Sequence, residues 1–209
     1  MSEMLDVYDA NKKLVGTADR AVVHAFGLWH KTIHCWLAVG DKMVFQRRSA
    51  LKEENAGKLY TTASGHVAAG ETIAQAFARE IAQEIGFKID NAEFIQEGPW
   101  VADIVKKDGS LFVDRVFANL YCALLDDLDW NKIKFDDGEV DAMAAIDARD
   151  FLQLAAGDRA AVRAQIWDGK NLVEKEIKPT DFVVNSGETL LGKYGKIAEF
   201  IMEKRNGKS

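Results

Sequence analysis

The chain has 209 residues and a mass of 23.2 kDa, enough for one large domain whose core needs neither disulfides nor a structural metal. Its 48% hydrophobic and 29% charged residues, with only two prolines, exclude a disordered or fibrous chain. The formal net charge of −6 gives no electrostatic basis for a nucleic-acid or anionic-membrane surface, so we expect neither partner.

The two cysteines, Cys35 and Cys122, each lie in an apolar run and show no zinc-type spacing, so we interpret them as buried free thiols. The N-terminus is polar and lacks the apolar stretch of a signal peptide. No apolar run approaches the roughly 18 residues that a membrane span requires. We therefore expect a cytoplasmic protein.

Apolar runs bounded by turn residues predict most of the secondary structure in chain order. Gly40-Asp41 and Lys107–Gly109 are the clearest hairpin turns. Strands are predicted over 4–8, 14–18, 33–39, 42–47, 59–63, 92–106, 110–125, 139–146 and 172–177. Helices are predicted over 72–85, 148–154, 158–166 and 188–204, loops over 52–58, 65–70 and 135–139, and 20–26 is ambiguous. This order favours an α+β sandwich over a doubly wound sheet.

The segment 72–85 has the clearest helical pattern in the chain. An apolar residue recurs at every fourth position, and Gly86 then ends the helix. The stripe consists of Ile73, Phe77, Ile81 and Ile85. Glu80 and Glu84 lie four residues apart, so both carboxylates project from the same side of this helix. The pair indicates either an exposed polar face or oxygen ligands for a hard divalent cation such as Mg²⁺.

The 23 residues from Gly65 to Phe87, GHVAAGETIAQAFAREIAQEIGF, decide between these interpretations. They resemble the signature of the Nudix hydrolase family at eight of nine specified positions. The matching positions are Gly65, Glu71, Arg79, Glu80, Ile81, Glu84, Gly86 and Phe87. Gln83 is the departure, because it stands where the family has the first glutamate of a Glu-Glu pair.

The resemblance implies an α/β/α sandwich with a mixed sheet, in which residues 1–155 form the Nudix domain and 156–209 form a C-terminal helical extension packed on it. It implies that Glu71 pairs with Arg79 in a structural role. It also implies that Mg²⁺, or Mn²⁺ in its place, binds the carboxylates of Glu80 and Glu84.

Two further signature residues are implied metal ligands. In the family the carbonyl oxygen at the position of Gly65 can reach the metal. Gln83 can offer one amide oxygen but brings no charge, which weakens the hold on the cation.

Histidines connect the chain to one branch of this family. Residues 16–52 together with the segment 60–66 are similar to isopentenyl-diphosphate isomerases, in which a histidine pair and the histidine of a Cys-Gly-His segment bind a divalent metal. His30 matches the second of the pair and His66 the Gly-His histidine, whereas His24 matches the first only with a one-residue shift.

The same comparison argues against isomerase activity. Ser64 stands where those isomerases carry their catalytic cysteine, and a hydroxyl has a much higher pKa than a thiol. The isomerases also need a glutamate on a later strand, for which Asp114 is the nearest candidate.

Further candidates lie outside the signature. Arg47, Arg48 and Lys52 are candidate phosphate-binding residues, since guanidinium and ammonium groups suit phosphate oxygens. Within the acidic run Asp136-Asp137-Gly138-Glu139, the residue Glu139 best matches an acidic family position that completes the metal site or activates water. None of the five tryptophans is assigned to the substrate.

Three functions compete at this point. The preferred one is a divalent-metal-dependent hydrolase that cleaves the diphosphate link of a nucleoside diphosphate derivative or a similar organic diphosphate, with Glu80, Glu84 and Glu139 as its catalytic residues. The alternatives are an isopentenyl-diphosphate isomerase-like enzyme, opposed by Ser64, and a catalytically weak diphosphate-binding protein, favoured by Gln83. The expected partner is a small-molecule diphosphate, and the expected assembly is a monomer or homodimer.

Overall fold

A computed structural model describes residues 3–52, 55–89, 91–105, 111–135, 138–184 and 188–207. The strands are β1 (Met4–Tyr8), β2 (Leu14–Asp19), β3 (His30–Val39), β4 (Lys42–Arg48), β5 (Leu59–Tyr60), β6 (Ala63–His66), β7 (Glu93–Val105), β8 (Leu111–Leu125), β9 (Val140–Asp147), β10 (Val162–Trp167) and β11 (Leu172–Ile177). The helices are α1 (Arg20–Phe26), α2 (Ile73–Ile85), α3 (Ala148–Ala156) and α4 (Leu190–Asn206), with short 3₁₀ turns at Trp130–Lys132 and Pro179–Asp181.

One large mixed sheet organises the described residues. Its strand order is β11-β10-β9-β4-β3-β8-β7, with β5 beside β4 and β6 beside β3. The neighbours β3 and β8 run parallel, and the other pairs are antiparallel. The strands β1 and β2 form a separate antiparallel hairpin. The predicted α+β class with a mixed sheet is confirmed.

Helices cover both faces of this sheet. Side chains alternate along β3, so Ile33, Cys35 and Leu37 belong to the core that contains the α2 stripe, including Ile81. Trp36 faces the other core, which α3 and α4 complete. The molecule is therefore a three-layer sandwich with α2 on one side and the two later helices on the other.

The sheet divides between β3 and β4, and this division positions the site. The two strands pair only over Leu37–Val39 and Lys42–Val44. Beyond that point the Thr62 hydroxyl fills the gap, because it accepts a hydrogen bond from the Leu37 amide and donates one to the Val44 carbonyl. The strands β5 and β6 then separate β3 from β4 and leave room for side chains of α2.

The predicted helix 72–85 is confirmed almost to the residue. Thr72 caps it: its hydroxyl accepts from the Gln75 amide, and the Gln75 side chain binds back to the Thr72 backbone. Gly86 ends the helix in the left-handed conformation, with φ of 63°. The ambiguous segment 20–26 is helix α1, which Asp19 caps.

Three local predictions need correction. The helix predicted over 158–166 is wrong, because Val162, Ala164 and Ile166 are buried at every second position of a strand, β10. The strand predicted over 59–63 is two short strands, β5 and β6, and β6 takes up part of the loop predicted over 65–70. The predicted turn Lys107–Gly109 and the residues Asp136 and Asp137 lie outside the described residues.

The C-terminal segment contributes to the same sheet and core. Strand β10 pairs with β9, and Tyr194, Ile197 and Ile201 of α4 pack against Trp36 and Phe45. No helix in the described ranges has the length and apolar character needed to cross a membrane.

Candidate functional site

A cavity of about 730 Å³ opens where the sheet divides. It gathers most of the residues that the sequence singled out, from α2, β6, β4 and the loops beside them. The predicted residues that line it are Arg48, Lys52, Gly65, His66, Arg79, Glu80, Gln83, Glu84 and Glu139. The cavity volume suits a small organic ligand.

The Glu80 carboxylate is buried at the cavity wall against the backbone of β6. A Cβ atom on Gly65 would lie 2.0 Å from Glu80 Oε1, so only glycine permits this approach. Burial raises the pKa of Glu80, an effect that the adjacent Arg79 guanidinium opposes. A carboxylate in this setting is stabilised as an anion by any further cation nearby.

Glu84 lies one turn further along α2 and is also buried. Its Oε1 accepts from the Ser64 backbone amide at 3.2 Å, and its Oε2 accepts from Gln46 Nε2 at 2.8 Å. Two neutral donors therefore fix the carboxylate without neutralising it. No sequence pattern indicates this role for Gln46, because the residue reaches α2 across the gap between β3 and β4.

Arg79 ties the signature together, as predicted. Its Nε and Nη2 donate to the two oxygens of Glu71, each at 2.8 Å, and Nη2 also donates to the His66 carbonyl at 2.8 Å. Its Nη1 donates to Glu80 Oε1 at 2.5 Å. These hydrogen bonds lower the pKa of Glu71 and raise that of Arg79. The result is a rigid link between β6, the loop before α2 and the helix itself.

Gln83 is exposed, and its amide oxygen accepts from Arg79 Nη1 at 3.2 Å. It thus faces the guanidinium in this structure. Its predicted role as a metal ligand remains a prediction.

Three histidines meet beside the signature and form what we call the histidine cluster: His24, His30 and His66. One ring nitrogen from each lies within 4.8 Å of the others, and the Nε2 atoms of His24 and His66 are 3.1 Å apart. Helix α1 supplies His24 and packs tightly on β8, where a Cβ on Gly27 would lie 2.6 Å from Val113. The one-residue shift in the sequence match therefore does not keep His24 out of the cluster.

His24 and His30 are neutral at pH 7. Burial lowers the pKa of His24 to about 3 and that of His30 to about 4, with the neighbouring imidazoles contributing to both shifts. Two residues adjoin the cluster: Asp114 Oδ1 lies 3.5 Å from His30 Nε2, and Glu3 Oε2 lies 3.5 Å from His66 Nδ1. Burial raises the pKa of Asp114, whereas the hydrogen bond to His66 lowers that of Glu3.

The donors present fit divalent cations in two ways. Carboxylate oxygens of Glu80 and Glu84 are the ligand type that Mg²⁺ and Mn²⁺ prefer, and the cluster offers imidazole nitrogens. Within the described residues, His30 Nε2 and Asp114 Oδ1 are buried and make no hydrogen bond. Buried polar atoms usually have a partner, so this pair indicates a place for a ligand.

The basic candidates divide into two groups. Arg48 and Lys52 line the cavity, and Lys52 Nζ lies 2.6 Å from Glu139 Oε1 on its rim. Arg47 instead directs its Nε to Asp141 Oδ1 on the neighbouring strand, at 2.5 Å, away from the cavity lining. Alternation along β4 explains the difference, because successive side chains point to opposite faces.

Sequence reasoning missed the cavity residues that come from distant parts of the chain. Arg20 and Glu3 come from the N-terminal region, and Trp100 and Lys193 come from β7 and α4, where Glu188 bonds to both of them. No local motif marks these residues, since each reaches the cavity only through the tertiary fold.

Comparisons with known proteins agree with this geometry. An uncharacterized Nudix hydrolase of Clostridium acetobutylicum is 33% identical over 125 residues, which cover 57% of this chain and 58% of that protein. Nudix hydrolase 3 of Arabidopsis thaliana is 28% identical over 122 residues, which cover 57% of this chain and 16% of that protein. The chain thus spans less than two thirds of either relative.

Two further comparisons concern the branch and the fold. The isopentenyl-diphosphate Delta-isomerase of Serratia proteamaculans is 25% identical over 125 residues, covering 58% of this chain and 68% of that protein. The crystal structure of DR0079 from Deinococcus radiodurans matches with a TM-score of 0.52 and 21% identity, over 74% of this chain and 90% of that one. The latter similarity shows the fold alone.

The profile of the NUDIX domain family matches residues 28–165, more than half of the chain, and this match includes the helix with both carboxylates. The chain belongs to the NUDIX domain family.

Proposed function

We propose that this protein is a divalent-cation-dependent hydrolase of an organic diphosphate. The observation that carries the proposal is the pair Glu80 and Glu84, both buried at the wall of one cavity. Arg79 holds the first carboxylate, and the Ser64 amide and Gln46 hold the second. Family membership supports the reaction class, whereas the substrate has to be argued from the cavity.

Each group in the cavity has its own role in the proposed reaction. A cation bound by the carboxylates would neutralise charge on the phosphoryl oxygens. Arg48 and Lys52, which line the cavity, would pair with further phosphate oxygens. A water oxygen forms the new bond to phosphorus, the bridging P–O bond breaks, and a carboxylate, for which we propose Glu139, takes the proton of the water.

The test is a panel of diphosphates assayed with Mg²⁺ and with Mn²⁺ on the wild type and on Glu84→Gln. We expect turnover to fall at least about tenfold, because the variant removes a charged ligand. Glu199→Gln, on an exposed part of α4, is the matched control and should leave turnover unchanged. Equal turnover in the wild type and Glu84→Gln would remove the carboxylate pair from the reaction.

A companion variant examines the departure from the family pattern. Gln83→Glu restores the missing carboxylate beside Glu80 and should tighten Mg²⁺ binding, measured by calorimetry. No change in affinity would mean that the cation site is built from other groups.

A second candidate function rests on the histidine cluster with Asp114. This arrangement favours the isomerase branch, and the similarity to isopentenyl-diphosphate isomerases agrees with it. Ser64, which lines the cavity, opposes it, because a serine hydroxyl is a poor proton donor or acceptor at neutral pH. Incubation with isopentenyl diphosphate decides: isomerisation by the wild type would establish this function, and its appearance only in Ser64→Cys would show that the thiol alone is missing.

A further inference from the structure

A second wall of the cavity comes from β5, β7 and α4, and we call it the aromatic wall. It consists of Tyr60, Trp100 and Lys193, which line the cavity, together with Glu188, which bonds to the last two. The Lys193 ammonium lies 5.5 Å from the ring centroid of Trp100 and 5.7 Å from that of Tyr60. Glu188 holds both partners, since it lies 2.9 Å from Lys193 Nζ and accepts from Trp100 Nε1 at 2.9 Å. Lys193 is therefore fixed in one position while it lines the cavity.

Cross-strand neighbours connect this wall to the signature. His66 pairs with Thr32, Thr32 with Ala118, and Ala118 with Gly98, which is two residues from Trp100. We call this surface, which runs from β6 through β3 and β8 to β7, the floor. Three strand spacings of about 4.8 Å separate the two ends, roughly 14 Å in all. That distance leaves room for a diphosphate at the signature and an organic group reaching towards Trp100.

The floor between the two ends is polar. Thr32 lines the cavity, is 9% exposed, and its hydroxyl makes no hydrogen bond within the described residues. Next to it, desolvation and the Lys193 ammonium lower the pKa of His34 to about 4, so its imidazole is neutral and offers both a donor and an acceptor. An alkyl group on this floor would leave these atoms unpaired, at a cost in binding free energy.

We propose that the aromatic wall is the subsite for the organic group of the diphosphate, that this group carries hydroxyl or carbonyl oxygens, and that Lys193 donates a hydrogen bond to one of them. Lys193 is then a specificity-determining residue supplied by a helix that lies outside the matched family profile. The assignment rests on the proposed function for the position of the diphosphate, but its test does not require turnover.

The experiment measures the dissociation constants of ADP and isopentenyl diphosphate by calorimetry, with Ca²⁺ in place of Mg²⁺. The two probes share a diphosphate and differ in the polarity of the organic group. We expect the wild type to bind ADP more tightly, and Lys193→Met to weaken ADP binding about tenfold, the equivalent of one charge-assisted hydrogen bond. Isopentenyl diphosphate should bind equally to both proteins.

Controls separate the subsite from stability and from the proposed reaction. Lys196→Met, one turn away on the exposed side of α4, should change neither constant, and Lys193→Arg should retain ADP binding within about threefold. If Lys193→Met fails to fold, Lys193→Gln replaces it. Preferential ADP binding that depends on Lys193, together with no hydrolysis of any diphosphate in the Mg²⁺ and Mn²⁺ panel, would sustain the subsite and reject the proposed reaction. Equal binding of the two probes, binding of neither, or equal loss for both in Lys193→Met would overturn the subsite.

Discussion

The parts of this cavity are built in two different ways. The signature wall comes from a single stretch of 23 residues, and Arg79 bonds to Glu71, to Glu80 and to the His66 carbonyl within that stretch. The histidine cluster and the aromatic wall join distant segments: His24 and His66 are 42 residues apart, and Trp100 and Glu188 are 88 apart. Local contacts therefore shape the signature wall, whereas contacts between distant segments shape the histidine cluster and the aromatic wall.

A substitution that prevents the close approach of the Glu80 carboxylate to Gly65 should have the largest effect. In Gly65→Ala the added Cβ would occupy the place of Glu80 Oε1, so the carboxylate must move by an ångström or more. A displacement of that size can cost about 100-fold in turnover, and we expect a loss of that order in a steady-state diphosphatase assay. Cation affinity should fall with it.

Gly16→Ala is the control for this variant, because a Cβ on Gly16 in β2 meets no atom within 4 Å. It should retain wild-type turnover. If Gly65→Ala also retained wild-type turnover, the position of the Glu80 carboxylate would be irrelevant to the reaction. The proposed catalytic role of the signature wall would then be rejected.

Sequence reasoning succeeded where chemistry is encoded locally. The helix 72–85, its end at Gly86 and the shared face of Glu80 and Glu84 follow from spacing within one helix. The family resemblance implied the Glu71–Arg79 pair, whose hydrogen bonds the structure contains. The mixed sheet followed from the order of the elements together with the family resemblance, and the structure bears it out.

The failures have two physical origins. The segment predicted as a helix over 158–166 is a strand whose apolar residues Val162, Ala164 and Ile166 alternate with polar ones, and β9 and β11 supply its pairing partners. By contrast, Gln46 contacts Glu84, and Lys193 lines the cavity, only because β3 and β4 separate and α4 packs across the sheet. Residues whose role depends on contacts between distant segments leave no periodic pattern to detect.

Loss of one imidazole from the histidine cluster should have the next largest effect. It tests a part of the cavity that is built from distant segments. We expect His66→Gln to weaken Zn²⁺ binding about tenfold or more, because one of three imidazole ligands is lost. Glu3→Gln should weaken it less, since Glu3 only orients His66. Competition with a chromogenic chelator provides the affinities.

His34→Gln is the matched control, since His34 lines the same cavity outside the cluster. An equal loss of Zn²⁺ affinity in His34→Gln and His66→Gln would show that the effect is general to the cavity. In that case the cluster would be a packing feature, and the isomerase-like candidate function would lose its support.

The smallest effect concerns folding stability. It distinguishes an ionic Glu71–Arg79 interaction from one that consists of neutral hydrogen bonds. Hydrogen bonds from Arg79 lower the pKa of Glu71 below its usual 4.5, so the folded state favours the ionised form. The stabilisation is fully present above pH 4.5 and is lost as pH falls through the lower pKa of the folded state. At pH 7, Glu71→Gln should reduce the free energy of unfolding by about 1–3 kcal/mol, measured by urea denaturation.

The pH dependence of that difference is the decisive observation. As the pH falls below 4.5, the wild type loses the ionic interaction and the gap to Glu71→Gln should narrow, whereas the exposed-site variant Glu199→Gln should show no comparable narrowing. A gap that stays constant with pH would mean that neutral hydrogen bonds carry the link. The signature wall would then owe its rigidity to hydrogen-bond geometry that glutamine reproduces. The signature wall and the histidine cluster would then differ only in how far apart in the chain their residues lie.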